Sequence, residues 1–178
     1  MKKLILLASC ILMMDASQRV YVNIASEVGG LNFSSENQEA VNTSMSSVLI
    51  DTGIINNNLM IGCRARVINN SCVECDEKNI GSGYSIDAKI GISDRKQSFS
   101  LYGLLSYLSY DFGNTNETID NDVGVGVGLG GSIKLNEQPF NSVPNALMLN
   151  YIYYSMDGDE SKENYNMSNL SIGLSWSF

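Results

Sequence analysis

The chain has 178 residues, with 11 Lys and Arg against 19 Asp and Glu, no His, and a net charge of −8. That length suits one domain, and the lack of any basic cluster excludes nucleic-acid binding. Past the N-terminus, no segment holds the roughly 18 consecutive apolar residues of a transmembrane helix.

The first segment reads as an export signal. Met1-Lys2-Lys3 is a positive start and Leu4 to Met14 a short apolar run. Residues 1–17 are expected to be removed, with cleavage after Ala16 or Ser17. Leu7-Ala8-Ser9-Cys10 has the form of a lipidation site. The apolar run before Cys10 is short and continues through Ile11 to Met14, so an ordinary signal is expected. Residues 18–178 are then the mature domain.

From residue 18 onward, apolar and polar side chains alternate with period two, the mark of strands with two unlike faces. The first run, 18–28, puts Val20, Val22 and Ile24 on one face and Tyr21, Asn23, Ala25 and Glu27 on the other. The second, 46–56, sets Val48, Ile50 and Ile54 opposite Asp51 and Gly53. The third, 59–68, sets Leu59, Ile61, Cys63, Ala65 and Val67 against Gly62, Arg64 and Arg66. The fourth, 82–93, sets Tyr84, Ile86, Ala88, Ile90 and Ile92 against Ser85, Asp87, Lys89 and Gly91.

In the fifth run, 98–111, Phe99, Leu101, Leu105 and Tyr107 oppose Ser100, Tyr102 and Ser106, and Leu104 and Leu108 fall on the polar side. The sixth, 122–135, opposes Val123, Val125, Val127, Leu129, Ile133 and Leu135 to a column of Gly and then Lys134. The seventh, 145–156, shows Leu147, Leu149, Tyr151 and Tyr153 on one face. The last, 169–178, alternates Leu170, Ile172, Leu174, Trp176 and Phe178 with Ser171, Gly173, Ser175 and Ser177.

Eight runs of this length fit tilted strands, which need roughly 9–11 residues to cross a bilayer. The connections alternate too. Residues 56–58 and 94–97 are tight turns, and 136–144, with Pro139 and Pro144, is intermediate. Residues 29–45, 69–81, 112–121 and 157–167 are longer and polar. With the first strand starting in the periplasm, all the long connections fall outside the cell. The predicted fold is therefore all-β: an eight-stranded antiparallel up-and-down transmembrane β-barrel, expected as a monomer. Tyr84, Tyr107 and Tyr153 near the outer ends, and Phe99, Trp176 and Phe178 near the periplasmic ends, are expected to form two aromatic belts.

An export signal, eight alternating strands and a terminal apolar alternation ending in Phe resemble the small OmpA/OmpX-type barrels of Gram-negative outer membranes. The resemblance implies an outer-membrane location among lipid and lipopolysaccharide. It also implies that Leu170, Ile172, Leu174, Trp176 and Phe178 form the signal read by the barrel assembly machinery. Enzymes of this fold that act on envelope lipid rely on a His base, which this chain lacks. The expected role is structural or surface-interacting, with the polar connections meeting a host or envelope protein. A narrow channel for ions or small apolar solutes is the alternative, and an envelope-lipid enzyme stands third.

The charged residues within strands share the non-lipid face, where a charge escapes the penalty of facing lipid. Asp51, Arg64, Arg66, Asp87 and Lys89 are expected to form ion pairs in the lumen. The tight turn at Asn57-Asn58 sets Asp51 opposite Arg64, with Asp87 as Arg64's alternative partner. Gly126-Val-Gly128-Leu-Gly130-Gly131 has the spacing of a dinucleotide motif but lies in a strand without the βαβ context, so it reads as a bare inner wall. Cys72 and Cys75 in a polar loop fit a local disulfide or two idle thiols. Asp157, Asp159 and Glu160 match no calcium-loop spacing. No catalytic residue, cofactor or metal ligand is expected.

Overall fold

A computed structural model gives eight strands: β1 (Gln18–Ser35), β2 (Gln38–Asn56), β3 (Leu59–Ser71), β4 (Ser82–Ser93), β5 (Phe99–Asp111), β6 (Asn121–Lys134), β7 (Ala146–Asp157) and β8 (Tyr165–Ser177). The structure describes residues 18–35, 38–71, 81–94, 96, 98–111, 121–136, 144–157 and 165–177. The expected signal 1–17, the Cys72/Cys75 pair, Asp159, Glu160 and Phe178 lie outside these residues.

Each strand pairs antiparallel with the next, and β1 pairs with β8, closing the barrel. Tracing the register from Asn23 through Asp51, Arg64, Asp87, Ser106, Gly126, Tyr154 and Met167 leads back to β1 at Phe33, ten residues further along. That offset is the stagger that tilts the strands and sets the barrel's width together with their number. Asn57 and Asn58 both have positive φ, at 48° and 74°. Two such residues form the type I′ turn whose twist matches a two-residue hairpin, and this locks the β2–β3 register.

The alternation sorts faces as the sequence predicts. Val48, Ile50, Ile86, Ile90, Val125, Val127 and Leu129 are exposed on the outside, while the opposite parity is buried in the lumen. On β5, Leu104 and Leu108 point inward and are buried. Cys63 is exposed on the outer face.

The extent of the first long connection requires correction. Residues 29–45 are expected as a loop, yet β1 runs to Ser35 and β2 starts at Gln38. Gly29, Gly30 and the Asn- and Ser-rich stretch carry loop-like composition. Their backbones nevertheless continue the ladder from Gly29↔Met45 to Phe33↔Val41. A strand that has risen above the membrane needs no apolar outer face, so the lipid-facing pattern stops before the strand does. What holds it is Leu31 and Met45, buried on the inner face, and on the exposed face Asn32 donates to Asn42 directly across the ladder at 2.6 Å. The neighbouring loops also shrink, with β3 reaching Ser71, β6 starting at Asn121 and β8 at Tyr165.

The glycine column of β6 is where large side chains from β5 and β7 enter. A Cβ on Gly126 would lie 2.5 Å from Tyr154 Cδ1 and 2.9 Å from the Tyr153 carbonyl oxygen. Gly128 faces Ile152, and Gly130 faces Tyr102 and Asn150. Overpacking a filled core costs about 1–3 kcal/mol. Gly126→Ala is therefore expected to lower stability by that amount, measured as a drop in the urea midpoint of the refolded protein. An unchanged midpoint would mean Tyr154 does not fill this wall.

Candidate functional site

The lumen is built by the inward parity of each strand, and its middle is charged. Arg64 on β3 has two carboxylates as cross-strand neighbours, Asp51 on β2 and Asp87 on β4. The register expected from the Asn57-Asn58 turn is present, but the ion pair forms on the other side. Arg64 Nε lies 2.6 Å from Asp87 Oδ2. Asp51 is paired instead with Lys89. Lys89 reaches it across Gly62, its own cross-strand neighbour on β3, where the missing Cβ also makes room for the Tyr21 hydroxyl. The Lys89 ammonium also lies over the rings of Tyr21 and Tyr102, 4.6 and 4.7 Å from their centroids. The third pair is looser, with Arg66 Nε 3.5 Å from Glu27 Oε2. Three acids and three bases thus balance one another, all of them buried.

Asn150 on β7 ties the pairs together. Its Nδ2 donates to Glu27 Oε1 at 2.5 Å. Its Oδ1 accepts from Arg64 Nη1 at 3.0 Å and from the Tyr102 hydroxyl at 2.9 Å. Ser106 donates to Asp87 Oδ1 at 2.5 Å and lies 3.1 Å from the Tyr154 hydroxyl, and Ser47 donates to Glu27 at 3.2 Å. Sequence reading names the charges and puts Tyr102 and Ser106 on the inner face without a role, and it misses Asn150 and Tyr154. One signal was available: Asn150 is a lone amide on the inner parity of an otherwise apolar stretch of β7.

Apolar layers close the charged middle at both ends. Tyr21, Ile55 and Met60 are buried toward the periplasmic end, and Leu31, Met45, Ile68, Leu108, Tyr110, Met156 and Met167 toward the outer end, while Leu104 is buried beside Lys89 at the level of the charges. Phe33 and Tyr165 pack on the outer layer, with Phe33 5.9 Å from Tyr110 and 6.3 Å from Tyr165 between ring centroids. Tyr165 donates to Asp122 at 3.0 Å. Among the described residues, no group of three His, Cys, Asp or Glu side chains could hold a metal ion.

On the outside, Tyr84, Tyr107 and Tyr153 are exposed in the outer halves of their strands, and Phe99 is exposed at the start of β5. Leu170, Ile172 and Leu174 are exposed on β8, and Trp176 is half-buried opposite Ile24.

A closed eight-stranded barrel with an apolar exterior and an ion-paired interior defines a small outer-membrane barrel. The family model described as "Outer membrane protein beta-barrel domain" matches residues 4–178, and the chain belongs to that family. It is an outer-membrane protein. No curated protein matches the sequence significantly. Among solved structures, neisserial surface protein A is 17% identical, with a TM-score of 0.56, over 88% of this chain and 97% of that one. Ail, the attachment invasion locus protein of Yersinia pestis, is 13% identical with a TM-score of 0.58, over 89% of this chain and 98% of that one. Ail in complex with the heparin analogue sucrose octasulfate matches with a TM-score of 0.54 at 13% identity, over 90% of this chain and 99% of that one. At these identities the likeness is one of fold.

Membrane residence makes the outer face a strong constraint. Leu129, in the middle of β6, is 67% exposed. An Arg facing lipid near the midplane costs about 2–4 kcal/mol. Leu129→Arg is expected to lose that much, read as a fall in the folded fraction when urea-unfolded protein is diluted into lipid vesicles. Full folding of the variant would mean that this strand face does not meet lipid.

Proposed function

We propose that the protein is a closed anchor: a barrel without a conducting path, whose outer connections make contacts at the cell surface. The filled lumen carries this reading. The glycine column, which would otherwise open a cavity, receives Tyr154, Ile152 and Tyr102. The six central charges neutralise one another behind apolar layers. The same packing disfavours the channel reading. No His is present and the lumen carboxylates face cations, so the reading includes no catalysis.

The outer connections are where lipopolysaccharide and a host or envelope protein would be met. Residues 36–39, 74–78, 111–122 and 157–163 hold thirteen Asp and Glu against Lys78 and Lys162. Thirteen of the chain's nineteen acids therefore belong to these connections. Ail was crystallised with a sulfated heparin analogue. A rim this acidic repels such polyanions, and it favours a protein partner with a basic surface. In the same reading, the tyrosines and Phe99 sit at the membrane interfaces. Leu170, Ile172, Leu174, Trp176 and Phe178 serve the assembly machinery.

The test is electrical. Purified protein inserted into planar bilayers at neutral pH is expected to give no discrete conductance steps. Stable, reproducible steps would make it a channel.

A further inference from the structure

We propose that the outer mouth of the barrel holds a site for a lysine side chain, floored by the Asp122 carboxylate and walled by Phe33, Tyr110 and Tyr165. The site rests on the reading of the acidic rim given above and deepens it: the lysine belongs to the basic protein partner.

The balance of buried charge leads there. Among the described residues four acids are buried, Glu27, Asp51, Asp87 and Asp122, against three bases, Arg64, Arg66 and Lys89. The bases are taken by Asp87, Glu27 and Asp51 in the middle of the lumen. Asp122 is 1% exposed and, among the described residues, forms no ion pair. Its Oδ2 accepts from the Tyr165 hydroxyl at 3.0 Å, and its Oδ1 has no hydrogen-bond partner. A buried carboxylate in that condition is costly, and a cation on Oδ1 removes the cost.

The surroundings select the cation. Phe33, Tyr110, Asp122 and Tyr165 come from β1, β5, β6 and β8. Each lies one inward position further out than Leu31, Leu108, Gly124 and Met167, in that order. Tyr110 stands directly opposite Asp122 on the β5–β6 ladder. The Phe33 ring lies 5.9 Å from that of Tyr110 and 6.3 Å from that of Tyr165, tilted by 49° and 48°. One cluster therefore joins the carboxylate to three rings. A metal ion takes several oxygens, and among the described residues no three Asp, Glu, Cys or His side chains could supply them. Aromatic faces beside a carboxylate suit an organic ammonium. Phe33 and Tyr165 are half-buried at the open end. Lysine's compact head on its flexible stem can pass between them more readily than a broad, planar guanidinium. The thirteen acids of the outer connections draw such a partner toward the mouth.

The experiment is NMR of the folded protein in detergent micelles, titrated with Nα-acetyl-lysine methylamide. The norleucine counterpart, with the same stem and no ammonium, is the control. Wild type is expected to bind the lysine probe saturably, with nuclear Overhauser contacts from its ε-methylene to the rings of Phe33 and Tyr165, and not to bind the control. Asp122→Asn is expected to weaken binding about tenfold to a hundredfold, and Phe33→Leu about threefold to tenfold. Without probe, Asp122→Asn should keep or raise the urea midpoint, because it removes an uncompensated buried charge. Wild-type binding decides the matter even where a variant fails to fold. No saturable binding by wild type, equal binding of the norleucine control, or a midpoint lowered by Asp122→Asn would each overturn the site. Pentalysine separates that failure from failure of the rim. Held equally by wild type and Asp122→Asn, it would overturn the site and leave the acidic rim; held by neither, it would overturn both.

Discussion

Asn150→Leu is expected to be among the most damaging single changes in the molecule, costing about 4 kcal/mol. The two side chains share a branched outline and Leu is the larger, so no cavity forms and its extra bulk only adds to the cost. The loss comes from the groups Asn150 serves: Glu27 loses a donor, and Arg64 Nη1 and the Tyr102 hydroxyl lose their acceptor. Each is buried, and an unsatisfied buried group costs roughly 1–3 kcal/mol, more when charged. Ile152→Val, one inward position away on the same strand, is the control. It trims a methylene and should cost only about 0.5–1.5 kcal/mol. Trp176 is the chain's only Trp and sits in the β1–β8 seam, so its fluorescence during urea unfolding reports barrel closure. An Asn150→Leu loss no larger than that of the control would mean the amide is not the hub of the network.

The same position shows how far the sequence reaches. Strand number and face were legible because lipid selects for apolar side chains at outward positions across the membrane span. Asn57-Asn58 then fixed one register outright, and Asp51 does stand opposite Arg64. Two things were not legible, for different reasons. Above the membrane the rule lapses, so the paired residues of the β1–β2 hairpin beyond Gly29 looked like loop. Inside the lumen, a side chain meets partners several strands away, such as Arg64 and Asn150 across the barrel. No local pattern encodes which of two equally placed carboxylates an arginine will choose. Here the choice depended on Lys89, whose reach over Gly62 claims Asp51 and leaves Asp87 to Arg64.

That division of partners makes Arg64 the site of the second large effect. Arg64→Ala strands the Asp87 carboxylate inside the barrel, and breaking a buried pair from one side costs about 3–5 kcal/mol. Removing Asp87 as well should recover much of the loss. The double-mutant cycle of Arg64→Ala with Asp87→Ala is expected to give a coupling of about 2–3 kcal/mol, at the upper end for residues in contact. The cycle of Arg64→Ala with Asp51→Ala should give a much smaller coupling, because Asp51 answers to Lys89 although it lies in register with Arg64. Equal couplings would mean that the arginine divides its time between the two carboxylates. Conductance separates structure from gating in the same set of variants. The apolar layers of Tyr21, Ile55 and Met60 on one side and Ile68, Leu108 and Met156 on the other stay intact in all of them. The Arg64 variants are therefore expected to lose stability while remaining electrically silent in planar bilayers. Conductance steps that arise only when Arg64 is removed would mean that the ion pairs, and not the apolar layers, close the barrel.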